Sequence, residues 1–288
     1  MSTLPPEIIE EIISFVDSNW RGRLWDLRRC SLVCKAWQYI AQRPLFRRIE
    51  LSLYKDAARE NQLLNRAIRF RSTQACEALA HSLNETLGSS PHLRSHIRQL
   101  HLVHFPIEAC PPALFLKFHN LDSLKVRGLR WRNLSAEHRV TLAALCTPLS
   151  DLAIEDASFA TYSHLFHLLS QAPSLRSLKL SQVRHINNLK ESPDNLQLTP
   201  ASNSPAHLDR LHLDCSPSSL IHFLVHPRIS GLVIDVTQIR QLLSSSAAVF
   251  LDVATVLLPA IASYGTLQEA ELCVYLADKG KPRLLDSD

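Results

Sequence analysis

At 288 residues, 46% hydrophobic and 20% charged, the chain is long enough to bury a sizeable core and too apolar to stay disordered. No stretch approaches the roughly 18 uninterrupted apolar residues of a membrane span, and acids stand early in MSTLPPEIIEEII where a secretory leader carries basic residues; a soluble protein of the cytoplasm or nucleus is expected. The net charge of +4 is uneven: residues 1–71 hold 13 Lys and Arg against 8 Asp and Glu, the remainder 18 against 19. Without a dense basic stripe or interleaved aromatics, that excess points to an acidic protein partner rather than to nucleic acid.

In chain order, Pro5 and Pro6 suit a first helical turn, where missing amide donors cost nothing. Glu7, Glu10 and Glu11 favour the positive end of the helix dipole, and Ile8, Ile9, Ile12, Ile13 and Val16 form a broad apolar face. After DSNWRGR, Asp26 is placed to cap a second helix whose apolar positions Leu27, Cys30, Val33, Cys34 and Trp37 step by three and four. On that reading the two cysteines of CSLVCKAW are packing residues of a helical stripe, with no further ligand at metal spacing.

The order LPxEI, helix, gap, SLVCKAW, then Pro44, Leu45 and Phe46 resembles the F-box family over residues 4–50. The resemblance implies a three-helix module whose exposed apolar face docks on the small adaptor Skp and so joins a cullin-RING ubiquitin ligase. By motif position it carries the docking role to Leu4, Pro5, Ile8, Ile9, Ile12, Leu27, Cys30, Val33, Cys34 and Trp37. The gap between helices, with Trp20 and Trp25, is longer than is usual for the family. The alternative is a helical cap with the same stripe turned inward on the domain behind it.

Beyond residue 50 a pattern L-x-x-L-x-L recurs in IRQLHLVHF, LDSLKVRGL, LSDLAIEDA, LRSLKLSQV, LDRLHLDCS and ISGLVIDV. Its marker residues fall at 100, 124, 152, 178, 211 and 232, in steps of 24, 28, 26, 33 and 21, which means a repeat architecture. Helical stretches such as HRVTLAALC, YSHLFHLLSQ and SSLIHFLVH lie between, so each unit is a strand, a turn and a helix. This resembles irregular leucine-rich repeats, without their asparagine ladder: Arg127, and Asp156 or Ala157, stand in the equivalent place. The expected fold class is α/β: a three-helix F-box at 4–50, a helical linker and first irregular repeat at 51–94, and a solenoid with a curved parallel sheet at 95–288. Ile49 and Leu51 mark a strand tying the first unit to the solenoid, 54–90 reads as helical, LQEAELCVYL as a last strand after the apolar helix AAVFLDVATVLLPAIASYG, and 191–206 as a polar inserted loop.

Among 6 glycines none builds a nucleophile elbow, a phosphate loop or a dinucleotide fingerprint. His164 with His167, and His222 with His226, lack the acid of a zinc motif, and the seven cysteines form no CxxC pair. No metal, cofactor or catalytic residue is therefore expected, and the chain is read as a non-enzyme. With the leucines of each strand facing inward, the alternate residues face out. Lys125, Arg127, Glu155, Lys179, His212 and Asp214 are the expected target-binding surface, basic at Lys125 and Arg127 and acidic at Asp214 and Asp235. The expected function is substrate recognition for a Skp-cullin-F-box ligase; the alternatives are a repeat scaffold outside any ligase and, more remotely, a hydrolase of unrecognisable site.

Overall fold

In a computed structural model, the structure describes residues 4–18, 23–53, 68–70, 73–185 and 206–214, together with Leu220, Leu224, 234–235, 241–246, Thr255, Leu257, Pro259 and 269–275. The first helix, α1 (Pro6–Ser18), starts on the prolines, with the Ile8 and Ile9 amides donating to the Pro5 carbonyl at 3.1 and 3.2 Å. Two shorter helices follow, α2 (Arg23–Cys30) and α3 (Lys35–Phe46). Ile9, Ile13, Leu27, Ile40 and Ala41 are buried where the three meet, with Val16, Cys30, Trp37 and Leu45 packed around them.

The second helix differs from its sequence reading. It starts before Asp26, which lies in its first turn, and it ends at Cys30 instead of running on to Trp37. Ser31 donates its hydroxyl to the Arg28 carbonyl at 2.7 Å, and i+3 bonds from Leu32 to Arg29 and from Val33 to Cys30 tighten the chain into a turn. Cys34 is extended, with φ −162°, and α3 begins after it. CSLVCKAW is therefore a helix end, a turn and a new helix, and Cys30 and Cys34 do not share one stripe.

Strand β1 (Arg48–Leu53) follows α3 after one residue, then β2 (Ile68–Phe70), α4 (Thr73–Ser89) and α5 (Pro91–Arg94). The repeating part continues with β3 (Gln99–Val103), α6 (Pro112–Phe115), β4 (Ser123–Arg127), α7 (Ala136–Cys146), β5 (Asp151–Glu155), β6 (Ser158–Phe159), α8 (Tyr162–Ser170), β7 (Ser177–Ser181) and β8 (Arg184–His185). After them come β9 (Ala206–His207), β10 (Arg210–Asp214), β11 (Ile234–Asp235), β12 (Gln241–Ser246) and β13 (Glu269–Tyr275). Nine strands make one parallel sheet in the order β13-β12-β10-β7-β5-β4-β3-β1-β2. Ile49 and Leu51 pair with Leu100 and Leu102, so the first strand begins inside the expected 4–50 unit and joins it to the sheet.

Register stacks like on like: Leu100, Leu124, Leu152, Leu178 and Leu211 form one buried row, and Leu102, Val126, Ile154, Leu180 and Leu213 the next. A pleat of period two turns these inward against α4, α6, α7 and α8 and leaves the alternate residues on the other face. The residue after each of four strands is left-handed: His104, Gly128, Asp156 and Gln182, at φ 51°, 83°, 46° and 53°. The amide of each donates to the next unit, to the carbonyls of Arg127, Glu155, Ser181 and Asp214 at 2.7–2.9 Å. Phe105, Leu129, Ala157 and Val183 then turn back into the core. Backbone bonds thus do the stacking that an asparagine ladder would do with side chains.

One expected repeat strand is misplaced in the sequence reading. Ile234–Asp235 of ISGLVIDV pairs with Ala206–His207 in a separate two-stranded sheet, and Gln241–Ser246 takes the place beside β10, Leu242 opposite Leu211. Apolar alternation identifies a strand but not its partner. Leu220 and Leu224 are helical and buried, and the last expected strand is β13. The loop at 191–205, residues 54–67 and most of the apolar helix at 247–265 lie outside the described residues.

Candidate functional site

Two surfaces were expected, and the structure sorts their residues. Of the ten apolar docking residues, Ile9 is 3% and Leu27 0% exposed, so these two hold the helices together and are not open to a partner. Successive helix positions are about 100° apart, so Ile8 and Ile9 cannot both face inward, and Ile8 remains 43% exposed. Leu4, Pro5, Val33 and Cys34 are exposed, while Ile12, Cys30 and Trp37 are partly covered. Phe15, Trp25 and Leu32 are exposed as well and were missed. Leu32 falls between the expected stripe positions and is brought out only by the turn after α2; Trp25 carries the Arg29 guanidinium 4.9 Å from its ring centroid.

This helical unit is fixed to the sheet. The Arg47 carbonyl accepts from the amides of Arg98 and Gln99, both at 2.9 Å, and the Tyr39 ring meets His96 edge-on at 5.9 Å. Arg43 binds Glu10 at 3.2 Å and lies over Tyr39. Burial, and then the nearby Arg43, holds the His96 pKa below its usual value.

On the strand face, Lys125 and Lys179 lie in one row with Ala153 between them. The small Ala153 leaves room for both ammonium groups to converge on Glu155, Nζ to Oε2 and Nζ to Oε1 at 3.0 Å each. Burial pushes the Glu155 pKa up, but the hydrogen bonds from Lys179 and Lys125 outweigh it and the net shift is downward. His212 lies opposite Lys179, and Asp214 opposite Ser181, whose hydroxyl donates to it at 3.1 Å. Arg48 bridges Glu50 at 2.9 Å and reaches His101 at 3.0 Å. Burial first, then Arg48 and Lys125, lowers the His101 pKa to about 4, so that ring is neutral at neutral pH. The expected separate basic and acidic zones are not there: Glu155 sits between the two lysines, and Asp235 belongs to another sheet. Arg127 is exposed at the C-terminal end of its strand, lining a cleft of about 580 Å³.

The other chemical candidates are packing or capping groups. Burial raises the pKa of Cys110 and Cys146 to about 12, which keeps both thiols protonated. Ser135 and Thr161 precede α7 and α8 and hydrogen-bond His138 and His164 at 2.8 and 2.9 Å, while the buried His138 also reaches the Cys110 carbonyl at 2.9 Å. Ser135 also accepts from the His138 amide at 3.2 Å and so caps α7, whereas Thr161 meets His164 only side chain to side chain and makes no cap bond to α8. His167 is exposed, and His222 and His226 lie outside the described residues. Among the described residues no three His, Cys, Asp or Glu side chains gather as a metal site.

No curated protein matches the chain. Residues 1–52 match the family described as F-box-like, 52 of the 288 residues, ending within β1. The three N-terminal helices are thus an F-box-like domain, the kind of domain that in general serves ubiquitin ligase adaptors and implies binding to Skp.

Proposed function

We propose that this protein is the substrate-recognition adaptor of a Skp-cullin-F-box ubiquitin ligase, working in the cytoplasm or nucleus and performing no chemistry itself. The stacked strand–helix units are, in this reading, an irregular leucine-rich-repeat solenoid that holds the target protein. The observation that carries the proposal is the division of apolar residues in the F-box-like domain: Ile9, Ile13, Leu27, Ile40 and Ala41 already form an internal core, yet Leu4, Ile8, Leu32 and Val33 stay outside it. Large apolar side chains left exposed in this way are what a partner covers. The direct passage from α3 into β1 then fixes the target relative to the ligase.

The test is complex formation with purified Skp, followed by addition of cullin. Ile8→Ala and Val33→Ala should each weaken Skp binding by about 2 kcal/mol, as interface anchors do, with little change in melting temperature. Undiminished Skp binding in the double variant, or no binding by the intact chain, would overturn the proposal.

A further inference from the structure

Lysine is scarce in this chain: of 31 Lys and Arg residues, 8 are lysines and 23 are arginines. Four lysines lie among the described residues, and three of those are engaged. Glu155 holds the ammonium groups of Lys125 and Lys179 at 3.0 Å each, and Lys117 donates to the Asn84 carbonyl in α4. The fourth, Lys35, opens α3 directly behind the turn that exposes Leu32, Val33 and Cys34. It is itself exposed, and its side chain has no ion pair or hydrogen bond among the described residues. Acylation separates the two kinds of basic side chain: a guanidinium stays charged, whereas a lysine amine that sheds its proton is a nucleophile. A lysine held by a carboxylate must first leave it. Among the described residues, then, the one amine ready for an acyl donor stands beside exposed apolar side chains of the F-box-like domain.

We propose that Lys35 is a conditional ubiquitin-acceptor site, open in the chain alone and closed when a partner seats on the neighbouring Val33 and Cys34; that this partner is Skp rests on the adaptor reading. An interface of standard size covers about 800 Å² on each side, so it extends past those two side chains to the residue that follows them. In the transfer, the Lys35 ammonium first gives one proton to solvent. Its Nζ then attacks the carbonyl of the ubiquitin C-terminal thioester on a conjugating enzyme. An isopeptide bond forms, the carbon–sulfur bond breaks, and the second proton goes with the departing cysteine as its thiol. The exposed Leu32 and Val33 thereby mark a chain without its partner, and the acceptor for its removal lies within three residues of them.

The experiment uses the full chain, alone and with purified Skp, and reads each lysine by peptide mass spectrometry. Brief treatment with an acetyl N-hydroxysuccinimide ester should label Lys35 of the free chain at least about threefold faster than Lys125 and Lys179, the scale of a partly exposed ion pair. With Skp at a hundred times its dissociation constant only about 1% of the chain is free, so labelling of Lys35 should slow at least about tenfold while that of Lys117 is unchanged. The same two samples are then incubated with ubiquitin, its activating enzyme and a conjugating enzyme that discharges onto free lysine. Trypsin should leave the di-glycine remnant on Lys35 in the free chain, at least about tenfold less of it with Skp, and none in Lys35→Arg, whose melting curve confirms that it folds. Absence of the remnant from Lys35 in the free chain, or labelling of Lys35 no faster than of Lys125 and Lys179, overturns the site. So does equal modification of Lys35 with and without Skp when Skp is shown to be bound. A chain modified at Lys35 that does not bind Skp would defeat the adaptor reading alone, while Skp binding by a chain never modified at Lys35 would defeat this site alone.

Discussion

The F-box-like helices and the parallel sheet that follows use apolar residues in opposite ways. In the sheet unit, each strand and helix finds a neighbour of the same kind, and the inward rows from Leu51 to Leu213 are covered along their length. Among the described residues the helical unit has no such neighbour on its far side. Of the nine large apolar side chains exposed among the described residues, seven lie before residue 47 (Leu4, Ile8, Phe15, Trp25, Leu32, Val33 and Tyr39), and only Leu116 and Val140 lie beyond it. About fifty residues cannot enclose all the apolar surface they carry, whereas stacking lets every added repeat cover the one before it. Exposed apolar surface is therefore concentrated in the first unit, whereas in the second the exposed side chains at the strand ends include the charged Arg127, Arg130 and Arg184.

The sharpest way to break this comparison is the pair Ile9 and Ile8. Ile9→Ala should lower stability by about 2–4 kcal/mol, because it opens a cavity in a core with few other members; Ile8→Ala should change it by less than about 0.5 kcal/mol. Urea unfolding followed by circular dichroism distinguishes them, and equal losses would mean that the two side chains are not divided between core and surface.

A smaller loss, about 1–3 kcal/mol, is expected for Gly128→Ala. The backbone there is at φ 83°, and a new Cβ would lie 2.3 Å from His104 Nδ1. Thermal melting checks it; an unchanged midpoint would show that the turn between units tolerates rearrangement and that stacking is less strict than the backbone ladder implies.

The smallest effect concerns the strand-face bridge. Glu155→Gln should cost about 1 kcal/mol at pH 7, since its partners are partly exposed and screened. The sign with pH follows from the lowered folded pKa. The contribution is complete above the unfolded value of about 4.3 and disappears as pH falls through the lower folded value. Wild type and variant should therefore converge in stability toward strongly acidic pH. A gap that persisted there would make the loss one of packing rather than of charge.

Much of the architecture was legible because it is local. Leu100 and Leu102, and their counterparts in the next four units, show the period of two that sets which face is inward; His138 to Cys146 and Tyr162 to Ser170 show helical spacing; LPPEII marks a helix start. Spacing failed where a non-local or competing interaction decided the outcome. Ser31 bonding back to Arg28 ended a helix that the apolar spacing alone would have continued.

By itself, then, the sequence determined the main strands between 99 and 214, the helices α7 and α8 and the inward phase of those strands, because side-chain periodicity acts within a few residues of backbone; it did not show the strand Ile68–Phe70, which lies within 54–90, read as helical, and is made by pairing with Leu51–Leu53. The tertiary structure alone decided that Ile9 and Leu27 are internal, that Gln241–Ser246 rather than ISGLVIDV continues the sheet, and that Glu155 joins Lys125 to Lys179. It also brought Arg130, Arg132 and Arg184 to one cleft out of a region whose overall charge is nearly balanced. Each of these depends on which distant segments become neighbours, and neighbour choice is set by packing and register across the whole sheet rather than by any one stretch of chain.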